Sequence, residues 1–381
     1  MNFKLSQEHQ MWREAVHGFA AEVLKPKAAE LDEAAEFHHE AVPQMAALGL
    51  LAMNIDEEYG GAGIDALGSA IAMEELGWAC AGTALSLGAH NALACEPINR
   101  YGTQQLKDAW LPGLASGEAG LAALALTEPG TGSDLAGGIQ TRASLEGEEW
   151  VIRGSKAWIT NASLSPFIVT LCRTGEAPAS NSLSLILVPS DAEGLTIHAK
   201  EKKMGMRSSP THALSYDDVR VPVDNVIGET GQGLYHALAA LDGGRIGIGA
   251  LSVGLARAAL EAAVDYAKDR ETFGQPISQH QAVRFMLADA SAQIESARLM
   301  VYQAAWLKDQ GEDFTGAAAK GKLVASEAAE RICRDAIQIH GGYGYSREYP
   351  VERMYRDVRL MTIGEGTSEI QRMVIARRML D

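Results

Sequence analysis

LAALALTEPGTGSD, residues 121–134, is where the texture of this chain changes. Its first seven residues form a short apolar run and the rest is a cluster of turn formers, the pattern of a strand running into a loop. Upstream, residues 1 to about 120 are rich in Ala, Leu and Glu with helical periodicity, broken by turn signals such as EEYGGAGID (57–65) and ASGEAG (115–120). The segment SQEHQMWREAVHGFAAEVL spaces Met11, Val16, Phe19 and Val23 as one helical face. Downstream, the short runs FIVTLC (167–172), SLILVP (184–189) and LTIHA (195–199) are separated by Gly, Pro, Asn and Ser, which predicts a compact all-β middle domain. Beyond GETGQG (228–233) the pattern is helical again, in stretches long enough for a bundle. There SQHQ (278–281) reads as a capping box opening a helix that runs towards Gln310. The expected organisation is an α+β multi-domain chain: helices over 1–120, a β domain over 121–230 and helices over 231–381.

The bulk composition narrows the function. At 381 residues the chain needs more than one core. Its 33 basic and 49 acidic residues give a net charge of −16, so its surface repels phosphate backbones and anionic bilayers. Neither nucleic acid nor a membrane is expected as a partner, and an anionic substrate would need a local basic pocket. Cys80, Cys95, Cys172 and Cys333 lie far apart, unlike a zinc site or a disulfide framework, so they read as core thiols. No signal segment or spanning run stands out, which predicts a cytoplasmic protein. His38 and His39, being adjacent, read as solvated rather than as metal ligands, and no metal site is expected. GxGxxG after a strand, GxxxxGK[ST], GxSxG and HExxH are all missing, so a bound nucleotide would have to be held by another construction.

Several strings carry chemistry. In LTEPGTGSD (126–134), Thr127, Ser133 and backbone amides are placed to donate to an acceptor-rich ring or a pyrophosphate, or else simply form a turn-rich loop. In KAWIT (156–160), Trp158 and Thr160 alternate on a strand; an indole beside a hydroxyl suits a flat heteroaromatic ligand, although a core Trp gives the same string. GEGTSEIQ (364–371) sets Glu365 between two glycines, ahead of a Ser368–Gln371 capping box. Read alone, Glu365 could merely favour a helix dipole.

Taken together with MGMRSS (204–209), LDGGRIGIGA (241–250), DRETFGQPI (269–277) and QIHGGYGYSREYPVERMYRD (338–357), these strings fall in the order and spacing of one family. Over essentially its whole length the chain resembles the acyl-CoA dehydrogenases, and its C-terminal half is most similar to short-chain and short-branched-chain members. The resemblance implies N-terminal helical, middle β-barrel and C-terminal four-helix domains, noncovalent FAD and a homotetramer built as a dimer of dimers. It implies that Thr127 and Thr160 contact the isoalloxazine, that Trp158 packs near it and that Ser133 reaches the pyrophosphate. Arg270, Phe273, Gln281, Gln338 and Gly342 match positions that bind the adenosine-diphosphate half of a neighbouring subunit's FAD, and Thr367 and Glu369 match further flavin contacts. Asp242, Arg245, Ser133 and Gly364 fall at substrate-side positions.

Glu365 matches the family's base, which removes the α-proton of an acyl-CoA while the β-hydrogen leaves as hydride to flavin N5. The family's oxyanion site is the N–H of that base with a flavin ribityl hydroxyl, and small neighbours let the thioester approach it. Desolvation should raise the pKa of Glu365 and the adjacent helix start should lower it, with desolvation prevailing. Many members carry Tyr where Gly364 stands, which implies extra room for α-branched substrates. Relatives that place the base just before the Arg of LDxxR have Glu where this chain has Gly244. Glutaryl-CoA dehydrogenases carry an Arg near Ala84, which argues against a dicarboxylic substrate. Glu96 is expected in a salt bridge or as a polar cap on a short acyl pocket. The reading is therefore α,β-dehydrogenation of a short or branched acyl-CoA with electrons passing to an electron-transfer flavoprotein. An enoyl-CoA reductase, a flavin oxygenase on the same fold and a non-catalytic flavoprotein are the alternatives.

Overall fold

A computed structural model describes residues 4–176 and 181–380. The N-terminal region is helical: α1 (Gln7–Phe19), α2 (Ala28–Ala34), α3 (Val42–Ala47), α4 (Ala66–Ala79), α5 (Ala81–Gly88), α6 (Glu96–Tyr101) and α7 (Gln104–Ser116). The Ser6 hydroxyl caps α1 by accepting from the His9 N–H. Val16 and Phe19 are buried as their spacing requires, whereas Met11 faces solvent. His38 is buried, and burial pulls its pKa down, so the solvated reading of that residue was wrong. Nearly every side of α4 is buried, which marks it as a core helix rather than a surface one. Its two acids survive there because Arg13, Arg257 and Arg298 converge on Glu74 and Glu75. Burial opposes ionisation of Glu75, yet Arg257, His17 and Arg13 hold its pKa at about 2.

The middle region is a sheet of β1 (Ala123–Ala125), β2 (Arg142–Glu146), β3 (Glu149–Thr160), β4 (Phe167–Arg173), β5 (Leu183–Pro189), β6 (Leu195–Lys200), β7 (Thr211–Pro222) and β8 (Val226–Ile227), with the short helix α8 (Leu135–Gly138) ahead of β2. The strand order is β6-β7-β3-β2-β4-β5-β8, and β1 runs parallel beside β4. The apolar runs at 167–172, 184–189 and 195–199 are strands, and the run at 121–127 is one over its central three residues. β2, β3 and β7 alternate polar and apolar residues, because one face packs Trp150, Ile152, Leu214 and Val219 while the other carries charge. All four cysteines are buried thiols.

The C-terminal region carries α9 (Gly233–Asp269), the hairpin β9 (Glu271–Thr272) and β10 (Gln275–Pro276), then α10 (Gln281–Asp309), α11 (Thr315–His340), α12 (Val351–Val358) and α13 (Ser368–Leu380). By length and composition α9 would cross a bilayer, but most of it is buried against α4, α10 and α11. The capping box expected at Ser278–Gln281 does not form. Ser278 lies in a tight turn closed by the His280 N–H on the Ile277 carbonyl (3.0 Å), so α10 starts two residues later with His280 in the cap position. The helix then runs to Asp309, as its period requires.

Close approach of α4 and α9 rests on Gly254. A Cβ there would overlap the Glu74 carbonyl and stand 2.9 Å from the Trp78 nitrogen, and backbone cannot swing aside as a side chain can. Gly254→Ala is therefore expected to destabilise the protein by about 1–3 kcal/mol. Thermal denaturation checks this: an unchanged Tm would mean that the two helices part freely.

Candidate active site

The Glu365 loop joins a short 3-10 turn (Arg359–Thr362) to α13. Glu365 adopts φ +52° and Gly366 φ +92°, so the left-handed conformation falls on the carboxylate residue itself and not on Gly364. The capping residue is Thr367 rather than Ser368: its hydroxyl accepts from the Ile370 N–H (3.3 Å), while Ser368 is buried inside the first turn. The expected box is thus displaced by one residue. Gln371, expected to close that box, instead donates its amide to the Gly366 carbonyl (2.9 Å). A Cβ at Gly366 would stand 2.8 Å from that amide nitrogen. At Gly364 a Cβ would meet only Leu360, at 3.6–3.7 Å, which is ordinary van der Waals contact, so a small side chain there would fit without a clash.

The carboxylate points into the protein. Its Oε2 is shut from solvent and has no hydrogen-bond partner among the described residues. Burial pushes the Glu365 pKa up to about 7, against the downward pull of Lys322 and Arg245. Gly244 makes the space, since a Cβ there would overlap Glu365 Oε2 and meet Leu93 at 3.0 Å. The two positions at which relatives place a base therefore converge on one point. The cavity that receives the carboxylate has a volume of about 40 Å³ and a mainly apolar lining, including Met73, Leu85, Gly244 and Ile248. That is room for about three water-sized groups.

Neighbouring charge is paired. Arg245 is buried and bonded to Asp242, which also accepts from the Thr315 hydroxyl (2.8 Å); the Arg245 Nε is left without a partner. Glu96 lies in a half-buried ion pair with Lys308 (2.9 Å), supported by the Asn54 amide (3.2 Å). Lys308 and Asn54, the partners of Glu96, line the carboxylate's cavity, so the salt-bridge reading of Glu96 holds and the pair sits beside that cavity.

A second group of residues gathers where β1 meets β3. The Ala157 N–H donates to the Thr127 carbonyl (2.9 Å), which brings the TEPGTGSD loop against KAWIT. Lys156, fully buried, fastens that loop by donating to the Leu126 carbonyl and to Glu128 (both 2.9 Å). Glu128 also accepts from the Gln140 and Thr141 N–H groups (2.7 and 2.9 Å). A bulge in β3 between Lys156 and Ile159 puts Trp158 at φ +63° and 60 % exposed. Trp158 is thus not a core residue. The half-buried hydroxyls of Thr127 and Thr160 have no protein partner among the described residues, and Ser133, in the loop that follows Thr127, is exposed. An indole face flanked by unpartnered hydroxyls fits a flavin ring.

The remaining candidates lie on two further clefts. Arg270 and Gly342 line one of about 590 Å³ with Tyr266, His340 and Tyr343. Phe273 tips the adjoining β9–β10 hairpin at φ +53° and 97 % exposed, and Gln281 and Gln338 are exposed on α10 and α11. Thr367 and Glu369 line another cleft of about 490 Å³ that carries Arg331, Arg334 and Arg359. Sequence reading missed Lys322, Lys308 and the Lys156–Glu128 pair, and gave Gln371 a different partner. A single Lys in an apolar helix period is the only signal that pointed to Lys322.

A buried, unpartnered carboxylate beside an apolar pocket, with a separate set of free hydroxyls around an exposed indole, is an arrangement suited to proton transfer near a flat cofactor. Sequence profiles name the class. The acyl-CoA dehydrogenase N-terminal, middle and C-terminal domains match residues 6–118, 123–219 and 231–380. The chain belongs to the acyl-CoA dehydrogenase family and has its fold. It is 50 % identical over 381 residues, covering all of both chains, to the probable acyl-CoA dehydrogenase YngJ of Bacillus subtilis. It is 46 % identical over 377 residues to the mitochondrial short-chain specific acyl-CoA dehydrogenase of Homo sapiens, covering 99 % of this chain and 91 % of that one. Among solved structures, butyryl-CoA dehydrogenase from Megasphaera elsdenii superposes with a TM-score of 0.96 at 39 % identity, with full coverage of both chains. A chain described with the electron transferring flavoprotein of Acidaminococcus fermentans superposes with a TM-score of 0.97 at 38 % identity, again with full coverage of both. The protein is an FAD-dependent oxidoreductase acting on acyl-CoA.

Proposed function

We propose that this acyl-CoA dehydrogenase converts short and α-branched acyl-CoA thioesters to trans-2-enoyl-CoA with Glu365 as the base. The observation that carries the reading is the unpartnered Glu365 Oε2 in a small, largely apolar cavity. The carboxylate takes the α-proton. Its N–H has no partner among the described residues and is free to donate to the thioester carbonyl as enolate character develops. Arg245, although ion-paired with Asp242, still pulls the Glu365 pKa down and so contributes some positive potential near that developing charge. Thr127, Thr160 and Trp158 would hold the flavin ring; bound FAD supplies the acceptor for the β-hydrogen, which leaves as hydride. The cavity volume favours a short acyl chain, the missing side chain at Gly364 leaves room for an α-branch, and buried Ala84 offers no cation to a second carboxylate.

Two partners complete the reading. The exposed Phe273 and the adjoining cleft with Arg270 and Gly342 support a homotetramer in which one subunit completes its neighbour's FAD site. Likeness to a chain described with an electron transferring flavoprotein supports such a protein as electron acceptor. Anaerobic titration of the FAD-loaded protein with acyl-CoAs tests the function. Bleaching of the oxidised flavin by butyryl-, isobutyryl- or 2-methylbutyryl-CoA is expected, with little by octanoyl- or glutaryl-CoA. If no saturated acyl-CoA bleaches it, but an enoyl-CoA reoxidises the dithionite-reduced flavin, the protein works as a reductase.

A further inference from the structure

Lys322 is one of the largest side chains in the protein with no exposed surface, and no other group in the active site explains it. Its position follows from helix packing. A Cβ at Gly249 of α9 would stand 3.6 Å from the backbone of Lys322, so α11 lies close against α9 here and the lysine stem runs inside the helical core. The ammonium emerges beneath the base loop and donates to the Gly366 carbonyl at 2.7 Å. That carbonyl also accepts from Gln371, so two donors from two helices converge on one oxygen directly after Glu365. An unsupported left-handed conformation at a non-glycine residue costs free energy and persists only where the surroundings dictate it.

Building on the reading of Glu365 as base, we propose that Lys322 is the positioning residue of that base. It pins the Gly366 carbonyl, which fixes the left-handed turn at Glu365, and it sets a cation facing the carboxylate. The charged groups around this point come from three elements: Lys322 and Glu327 on α11, Arg245 and Asp242 on α9, and Glu369 on α13. Arg245 is already engaged by Asp242, so Lys322 is the nearby cation not committed to another carboxylate through a hydrogen bond. Burial pulls the Lys322 pKa down to about 8, against the upward pull of Glu365, which leaves the ammonium largely protonated at neutral pH. A cation so placed favours the ionised carboxylate, whereas desolvation by an acyl chain opposes it.

A purely structural lysine would affect stability alone, so the test reads proton affinity. In Lys322→Met, the rate of flavin reduction at saturating butyryl-CoA should fall about tenfold and its acid limb should move up by about one pH unit. Lys322→Arg should return the limb towards its original position. Without substrate, infrared difference spectra of each protein against its Glu365→Gln counterpart should show the protonated-carboxyl band persisting to higher pH in Lys322→Met. Should the Met variant fail to fold, Lys322→Gln keeps a donor for Gly366 while removing the charge, and should move the limb with a smaller loss of rate. An acid limb and carboxyl band that stay in place in the folded, FAD-loaded variants would overturn the proposal, even with a lowered Tm. If Glu365→Gln in the natural background still reduces flavin normally, it is the base assignment that fails.

Discussion

Glu365→Gln is expected to keep its fold and its FAD, and to lose flavin reduction by acyl-CoA by a factor on the order of 10² to 10⁴. The amide fills the same space beside Gly244 but cannot accept the α-proton. Stopped-flow reduction under anaerobic conditions reads the effect, and near-normal reduction would exclude Glu365 as the base. In the wild type the rate should rise with pH through about 7, because burial places the carboxyl there and only its ionised form is a base. The same substitution should act on stability with the opposite sign. The folded-state pKa lies above the ordinary carboxylate value, so the wild type binds more protons folded than unfolded and loses stability as pH rises from about 4 through 7. Glu365→Gln removes that loss. Above pH 8 it should be the more stable protein by a few kcal/mol at most, with the advantage fading below about pH 5. Asp357, also buried and also pushed up to about 7, remains in both proteins and cancels in the comparison. Thermal scans across pH check this: a Gln variant less stable than wild type at high pH would mean that the ionised carboxylate is well solvated.

Gly244→Ala should reduce flavin reduction by about a hundredfold while leaving the Tm nearly unchanged. The added methyl would overlap Glu365 Oε2, and the atom in its way is the end of a flexible side chain, so the carboxylate shifts and the helix does not. Misplacement of a reacting group by about 1 Å is enough for a loss of that size. Because the base remains a carboxylate, its pH dependence should persist, unlike that of Glu365→Gln. The loss should also fall mainly on the rate at saturation, since the cavity wall contributed by Met73 and Leu85 is untouched. A rate within a few-fold of wild type would show that the loop relaxes around the methyl without moving the proton acceptor.

Much of the molecule was legible along the chain. Helix–strand–helix order came from periodicity, and the mainly apolar strands β4 and β5 were recognised because both of their faces are buried. β2 and β7 escaped notice because their charged outer faces, with Arg220 paired to Glu146 and Glu149, dilute the apolar signal. Both capping boxes were misread for one reason: a cap depends on which residue the incoming chain leaves non-helical. His280 and Thr367 take those places because the turn at 277–279 and the Glu365–Gly366 turn precede them.

By itself the sequence determined the family and the FAD and singled out Glu365 as the candidate base, since motif order and spacing survive without coordinates. The strings could not say what surrounds the carboxylate. Three segments distant in sequence meet there: Gly244 clears its space, Lys322 and Gln371 fasten the carbonyl behind it, and an apolar cavity strips water from it. A pKa depends on desolvation and on charges within a few ångströms, and those distances exist only once the helices are packed. Glu96 shows the same limit, because its partner Lys308 lies on α10, on the far side of the whole β domain in the chain, and only packing joins the two beside that cavity.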